Sequence, residues 1–348
     1  SFSFIKEMNF ACLPIMKERI VYLDIIRIVA CLMVILMHSP VALKEGETSV
    51  LPGLISVLML PCNGLFFMTS GALLFGSGMT WDKFMKKRLS RIVWPTVIWS
   101  VVYVLVDAYM LNYSSHDTIQ QLCWIPFHYI NANFALWFMY TLLGCYFIIP
   151  IVEPWLLKSS KKELEAVLIM WVISIGLPMV TYYLDMPKFD HQSAWYYFGG
   201  FFGYLLMGWY MNKYQSEISW KKIILSFVIA MFFYVIVKIQ KPSDWNYFCY
   251  LHPSTVCYTF GLFGLLMKMT SRKYTDKTIR ILSSLSACAF GVYLIHVLFL
   301  TKWLKTTDIL DSFSVGGAIG VRWILTTVDC YSIIFIRKKY PFSKYVIG

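Results

Sequence analysis

Ten long apolar runs constrain this chain more than any other feature of its sequence. They lie near residues 20–40, 51–75, 92–111, 134–157, 165–184, 194–212, 220–238, 247–269, 282–304 and 313–336. A helix needs about 20 apolar residues to cross the hydrocarbon core of a bilayer. The runs therefore predict an all-α integral membrane protein that crosses the lipid bilayer as a bundle of ten transmembrane helices.

Two of the runs are irregular. The run at 194–212 is short and rich in glycine, which makes it the weakest of the ten. The run at 51–75 is interrupted by Pro61 and by Asn63-Gly64, so we expect a kink or two half-helices there. Irregular backbone at membrane depth is tolerated only where it is buried in protein or lines a cavity, so this interruption points to the bundle interior.

The distribution of positive charge predicts the topology. Most of the 31 lysine and arginine residues fall in the connections that lie inside if the chain begins and ends in the cytoplasm. We therefore expect a cytoplasmic segment 1–19, a membrane domain 20–336 and a cytoplasmic tail 337–348. The same bias accounts for the net charge of +12, so we expect no nucleic-acid partner.

The first apolar run carries three ionisable residues, Asp24, Arg27 and His38. Arg27 and His38 are eleven residues apart, which places them on one helix face and roughly 16 Å apart along the axis. Asp24 lies on the same face and can pair with Arg27. One interpretation is a structural ion pair with His38 directed outward. The other is a polar tunnel with an anion-binding arginine inside and a base further out.

Two further signals come from other parts of the chain. His296, in the ninth run, has a depth compatible with His38, although a lone buried histidine is more often a packing group. Arg88 and Arg91 follow the second run and share one helical face, and guanidinium groups suit phosphate. Positive-inside bias explains most of the charge in that basic connection.

Several familiar site patterns are absent from the sequence. There is no H-E-x-x-H motif, no cysteine cluster and no spacing for two histidines and a carboxylate, so we predict no metal. There is also no G-x-S-x-G elbow and no P-loop.

Five separated motifs together resemble the acyltransferase-3 family of integral-membrane O-acyltransferases. In chain order they are Tyr22-Leu23-Asp24 with Arg27 and His38, Phe66-Phe67-Met68-Thr69-Ser70-Gly71-Ala72-Leu73-Leu74, Arg88-Leu89-Ser90-Arg91-Ile92 ending in Pro95, Leu136-Trp137-Phe138 with Tyr146 and Pro150, and Tyr293-Leu294-Ile295-His296. They follow the family's order and cover nearly the whole chain. Ala72 is a departure, because a larger apolar residue is more usual there.

The resemblance implies a ten-helix protein of the bacterial inner membrane. It implies an acyl-CoA donor, usually acetyl-CoA, that binds from the cytoplasm, and an acceptor hydroxyl on an envelope sugar or a lipid-linked sugar. It also implies that Arg27 and His38 are essential and that Arg88 and Arg91 help to hold the donor. Some relatives carry a fused periplasmic hydrolase-like domain, and this chain resembles the form that lacks it.

These expectations assign roles to seven residues. We assign Asp24, Arg27, His38 and His296 to catalysis, and Arg27, Ser70, Arg88 and Arg91 to the donor. His38 would act as the general base on the acceptor hydroxyl, or would itself be acylated first. His296 or Ser70 would stabilise the oxyanion.

The main alternative is a transporter or flippase of a glycan or lipid intermediate, since broken spans and buried charges fit that class equally well. The lack of inverted repeats argues against it, and so does the layout with arginine inside and histidine outside. A catalytically inactive relative is a third interpretation. The acyl group, the acceptor and the oligomeric state, including a homo-oligomer, stay open at this point.

Overall fold

The protein is described here by a computed structural model that covers residues 20–42, 50–184, 186–187, 189–240, 249–304, 313–337 and 346. Over these residues the regular secondary structure is helical throughout. The α-helices are α1 (Val21–His38), α2 (Val50–Met59), α3 (Pro61–Leu74), α4 (Trp81–Phe84), α5 (Ser90–Met110), α6 (Ser115–Trp124), α7 (Trp137–Lys158), α8 (Lys161–Tyr183), α9 (Phe202–Lys213), α10 (Trp220–Gln240), α11 (Pro253–Thr270), α12 (Asp276–Leu298) and α13 (Val315–Arg337).

Eight helical segments are long and apolar enough to cross a membrane. They are Val21–His38, Val50–Leu74, Trp81–Met110, Asn133–Lys158, Lys161–Tyr182, Trp220–Ile239, Asp276–Trp303 and Val315–Arg337. The predicted multi-pass helical membrane fold is therefore confirmed. The count of ten and the cytoplasmic position of both termini stay predictions, and the whole of 1–19 lies outside the described residues.

The two remaining predicted spans contain α9 and α11. Helix α9 has 12 residues, so it is about 18 Å long and shorter than a hydrocarbon core of about 30 Å. Nine consecutive residues of α9, from Gly203 to Met211, are buried. This helix is therefore an inner element of the bundle. Helix α11 has 18 residues and packs mainly against α10.

The second predicted span is divided in two, as its proline indicated. Pro61 is the first residue of α3, where its missing N–H leaves no donor unsatisfied. Asn63 and Gly64 continue α3 and do not break it. The third span begins earlier than predicted, because Trp81 starts a helical stretch that runs through a π-helical segment, Met85–Leu89, into α5. Much of the predicted basic connection is therefore helical.

Helix α1 lies at the centre of the bundle. It packs against α3, α11, α12 and α13. In α1 and in the span that contains α12, 56% of the residues in the most apolar window are buried, against 17% in the span of α10. The hydroxyl of Tyr22, at the start of α1, donates to Asn212 Oδ1 at 2.5 Å near the end of α9.

We name the two ends of the bundle by the residues found there. The arginine end contains Arg88 and Arg91 together with the start of α1, and the histidine end contains His38 and His296.

Two glycines allow α3 and α9 to cross in close contact. A Cβ atom at Gly71 would lie 2.0 Å from the carbonyl oxygen of Leu205, and one at Gly208 would lie 2.0 Å from that of Met68. Small residues at such crossings let helix backbones approach each other in a membrane. Since α3 also carries Ser70, this crossing fixes one wall of the site described below.

Gly71→Ala is expected to destabilise the fold by about 1–3 kcal/mol, because the added methyl group overlaps a backbone atom that cannot rotate away. Thermal unfolding of detergent-purified protein measures the change. Gly144→Ala is the matched control, since nothing lies within 4 Å of its Cβ position. Equal melting temperatures for the two variants would contradict the tight crossing.

Candidate functional site

A cavity of about 300 Å3 lies between α1, α3, α5, α7 and α12 at the arginine end. Its polar lining consists of Arg27, Ser70, Arg88, Arg91, Tyr146 and Ser286. Its apolar lining consists of Phe66, Ile92, Phe138, Met139, Leu142, Ala287, Ala289, Phe290 and Tyr293. All four residues that the sequence assigned to the donor, Arg27, Ser70, Arg88 and Arg91, therefore face one space.

The cavity is cationic. Three guanidinium groups line it, and the described lining residues include no Asp or Glu. The Nε atom of Arg88 is buried and has no hydrogen-bond partner in the described part of the chain. Arginine inside a membrane domain is costly and marks a functional site by default. A cavity of this composition is suited to an anionic ligand such as phosphate.

The turn between α3 and the basic helical stretch is held by Glu153. This carboxylate, on α7, accepts hydrogen bonds from the backbone N–H groups of Gly76, at 2.7 Å, and Ser77, at 3.2 Å. Gly76 has a φ of 72°, which a glycine adopts without strain. Glu153 therefore sets where the chain leaves Ser70 and turns towards Arg88.

Tyr146 belongs to the site, although we assigned it no role from the sequence. It is buried on α7, its hydroxyl interacts with Ser70, and Arg27 and Arg88 act on it electrostatically. The signal was a polar hydroxyl in an apolar span, which looked like ordinary packing because its neighbours lie on three other helices.

Asp24 is buried on α1, one turn before Arg27, and does not line the cavity. Its place beside Arg27 on the helix face suits the predicted role of orienting that guanidinium. The ion pair between the two side chains stays a prediction.

His38 and His296 meet at the histidine end. Their rings are stacked, with centroids 5.4 Å apart and an angle of 25° between the planes. His38 is partly exposed at the end of α1, whereas His296 is fully buried in α12. Phe134 presents its ring to His38 at a centroid distance of 5.0 Å. Two histidines separated by more than 250 residues thus form one imidazole pair.

The backbone fixes the tautomer of His296. Its Nδ1 atom lies 2.6 Å from the carbonyl oxygen of Tyr293. A carbonyl only accepts, so Nδ1 carries a proton, and a neutral ring then has its lone pair on Nε2. That Nε2 atom is buried and makes no hydrogen bond within the described residues. It is available to a ligand or to a proton in transit.

Tyr103 of α5 is inserted into the hydrogen-bond ladder of α12. Its hydroxyl donates to the carbonyl of Leu294 at 3.0 Å and accepts from the N–H of Leu298 at 3.0 Å. In a regular helix those two backbone groups would bond to each other. An inserted group is a recognised cause of a helix irregularity, and α12 continues as a π-helical stretch, Phe299–Trp303. His296 lies between the two bonded residues, so Tyr103 helps to set its direction.

A second contact from α5 holds the same stretch. Asp107, one turn after Tyr103, is buried and forms an ion pair with Lys302. The two contacts bracket the end of α12 beyond His296. They fix the depth and rotation of that histidine relative to α5.

Three aromatic rings stand between the cavity and the histidine pair. Phe138 lies 5.3 Å from Tyr293 and 6.0 Å from Phe66, measured between ring centroids. Tyr293 contacts His296 at 5.5 Å, and its hydroxyl donates to the carbonyl of Ala135 at 2.5 Å. This aromatic collar, Phe66, Phe138 and Tyr293, joins the cationic space to the imidazoles.

Asn133 is a second polar residue to which the sequence gave no role. It is fully buried in a non-helical conformation next to Phe134. Its Oδ1 atom accepts from the N–H of Ala135 at 3.1 Å, while its Nδ2 atom has no partner among the residues described. A lone asparagine before an apolar run reads as a cap, so only the tertiary structure places it near His38.

The family of the chain follows from its sequence profile. The profile described as an acyltransferase domain, that of the acyltransferase-3 family, matches residues 20–335, which is nearly the whole chain. This chain belongs to the acyltransferase-3 family. No curated protein and no solved structure gives a significant match. Family membership and the helical architecture together make it a multi-pass membrane acyltransferase.

Tyr103→Phe is expected to lower kcat for acyl transfer about tenfold, because small misplacements of reacting groups are costly. The donor KM should stay unchanged, since Tyr103 does not line the cationic cavity. Steady-state kinetics on purified protein separates the two constants. Tyr210→Phe is the control, because it removes a buried-side hydroxyl contact to Glu165 on other helices. Equal kcat values for the two variants would exclude the orienting role.

Proposed function

We propose that this acyltransferase moves an acyl group, acetyl in the simplest case, from cytoplasmic acyl-CoA to a hydroxyl of a cell-envelope glycan or glycolipid. The membrane would be the bacterial inner membrane. The observation that carries the proposal is the cavity with three arginines and no carboxylate in its described lining, joined through aromatic rings to a pair of histidines.

The donor is matched to the cavity by charge and by shape. The nucleotide end of acyl-CoA carries several phosphates, and Arg88 and Arg91 stand at the mouth of the cavity, Arg91 being exposed. Arg27, Ser70 and Tyr146 lie deeper and offer hydrogen bonds to the thin amide-containing arm. With the phosphates at the arginine end, the arm directs the thioester towards the aromatic collar and His38.

The reaction needs one base and one proton relay. His38 accepts the proton of the acceptor hydroxyl as that oxygen attacks the thioester carbonyl carbon. A C–O bond forms, the C–S bond breaks, and the thiolate of CoA takes the proton back from the imidazolium of His38. The products are an ester and free CoA. Direct transfer and transfer through an acyl-histidine both satisfy this balance.

The other polar residues divide between the two ends. Ser70 lies beside Tyr146 in the cationic cavity, so we place it with the donor and not at the oxyanion. His296 supports the base by stacking on it, with Nε2 available for a proton. Asn133 offers an unpaired amide N–H near His38 and is our candidate for the oxyanion donor.

His38→Ala should reduce acyl transfer about 100-fold to 10,000-fold, the usual contribution of a positioned base. Purified protein in lipid is incubated with labelled acetyl-CoA and a crude extract of envelope glycans, and label in the glycan is counted. His191→Ala, at an exposed histidine outside the site, is the control. If the wild type neither binds nor consumes acetyl-CoA or succinyl-CoA, the transporter interpretation replaces this one.

Arg88→Ala should raise the donor KM about tenfold, because a hydrogen bond to a charged group contributes about 1.5–3 kcal/mol. The kcat value should change less, since Arg88 lies far from the reacting carbonyl. Lys87→Ala is the matched control, because Lys87 is exposed, carries the same charge and does not line the cavity. An equal rise of KM in both variants would point to surface charge alone.

A further inference from the structure

A second polar cavity lies at the histidine end, outside the site described above. It has a volume of about 480 Å3, within the range of about 300–1,000 Å3 typical of ligand pockets. It is formed by α6 and the segment that follows it. The lining residues are Tyr113, Asp117, Gln120, Gln121, Trp124, His128, Tyr129 and Ile130. We refer to this set as the outer cleft.

One face of α6 supplies most of the cleft. Asp117, Gln120 or Gln121, and Trp124 recur at intervals of three or four residues, so they project from the same side of the helix. The side-chain amides of Gln120 and Gln121 form no hydrogen bond with any described residue. The indole of Trp124 is 50% exposed. This face therefore offers free amide groups and an open aromatic surface side by side.

The walls of the cleft are held in place. Ser114 caps α6 by accepting from the N–H of Asp117 at 3.1 Å. Tyr140 of α7 donates to the carbonyl of Ile125 at 2.7 Å, which ties the end of α6 to a membrane helix. On the opposite wall the rings of His128 and Tyr129 stack at 4.3 Å. A fixed cleft binds with less loss of conformational entropy than a mobile one.

The chemistry of the cleft excludes some ligands and favours one. It has no lysine or arginine among its described lining residues and contains an aspartate, so it does not suit a phosphate. Amides donate and accept hydrogen bonds, as sugar hydroxyls do. The negative face of an aromatic ring attracts the polarised C–H groups on one face of a pyranose. We propose that the outer cleft binds a saccharide unit of the acceptor, an inference that rests on the proposed acyl transfer for its role.

The cleft is close to the reacting groups along the chain. Ile130 lines the cleft, and Phe134, four residues later, contacts the ring of His38. Four residues span at most about 14 Å. A sugar unit held at Trp124 and Tyr129 therefore places a neighbouring unit of the same glycan beside His38. The cleft then selects the acceptor, while the cationic cavity selects the donor.

The test uses full-length protein in lipid nanodiscs and size-fractionated oligosaccharides released from envelope glycans. Trp124→Ala should raise the oligosaccharide KM about tenfold, equivalent to about 1.4 kcal/mol, and leave the acetyl-CoA KM unchanged. The double variant Gln120→Ala with Gln121→Ala should act in the same direction. Trp124→Phe, which keeps an aromatic face, should restore most of the loss. Phe127→Ala is the control, because Phe127 is 85% exposed and lies outside the cleft.

A binding measurement separates this inference from the proposed function. Saturation-transfer NMR with the same oligosaccharides should show contacts in wild type that are lost in Trp124→Ala. If KM and NMR contacts are unchanged while His38→Ala is inactive, the cleft inference is wrong and acyl transfer stands. If wild type consumes no acyl-CoA, acyl transfer fails, and the NMR contacts alone uphold or overturn saccharide binding. A loss of thermal stability with unchanged KM and contacts would make Trp124 a membrane anchor and overturn the inference.

Discussion

A charge in the hydrocarbon layer must be enclosed by protein, and helix α1 is where this molecule meets that requirement. Helices α3, α11, α12 and α13 surround α1, so Asp24 and Arg27 never face lipid chains. The glycine crossing of α3 and α9 and the division at Pro61 both belong to that enclosure. The helices that enclose α1 also supply the walls of the cationic cavity, so the same packing that shields the charges creates the site.

The site is asymmetric along the axis of the bundle. Guanidinium groups gather at one end and imidazoles at the other, with the aromatic collar between them. Arginine holds its charge at all physiological pH values and suits binding, whereas histidine exchanges protons near neutrality and suits chemistry. Such a layout gives each end of a long, partly anionic molecule a different environment. The outer cleft would add a third environment for the second substrate.

Sequence reasoning located the residues that lie on one helix and missed those that act between helices. The eleven-residue spacing of Arg27 and His38 and the break at Pro61 follow from helix geometry and proline chemistry alone. The convergence of Arg88 with Ser70 was an expectation from family resemblance, and the structure brings both to one cavity. The insertion of Tyr103 into α12 and the unpaired amide of Asn133 depend on which helices are neighbours. No local periodicity encodes that information.

The central position of α1 has a consequence for biosynthesis. Its partner α12 is synthesised late, and the contact between the Cys31 thiol and the Ala289 carbonyl spans 258 residues of chain. During translation the first helix to emerge therefore carries buried charges whose enclosing helices do not yet exist. It must wait in a sheltered place, beside the insertion machinery, until the last spans arrive. The order in which the ribosome delivers the helices is thus the reverse of the order in which α1 can be sealed.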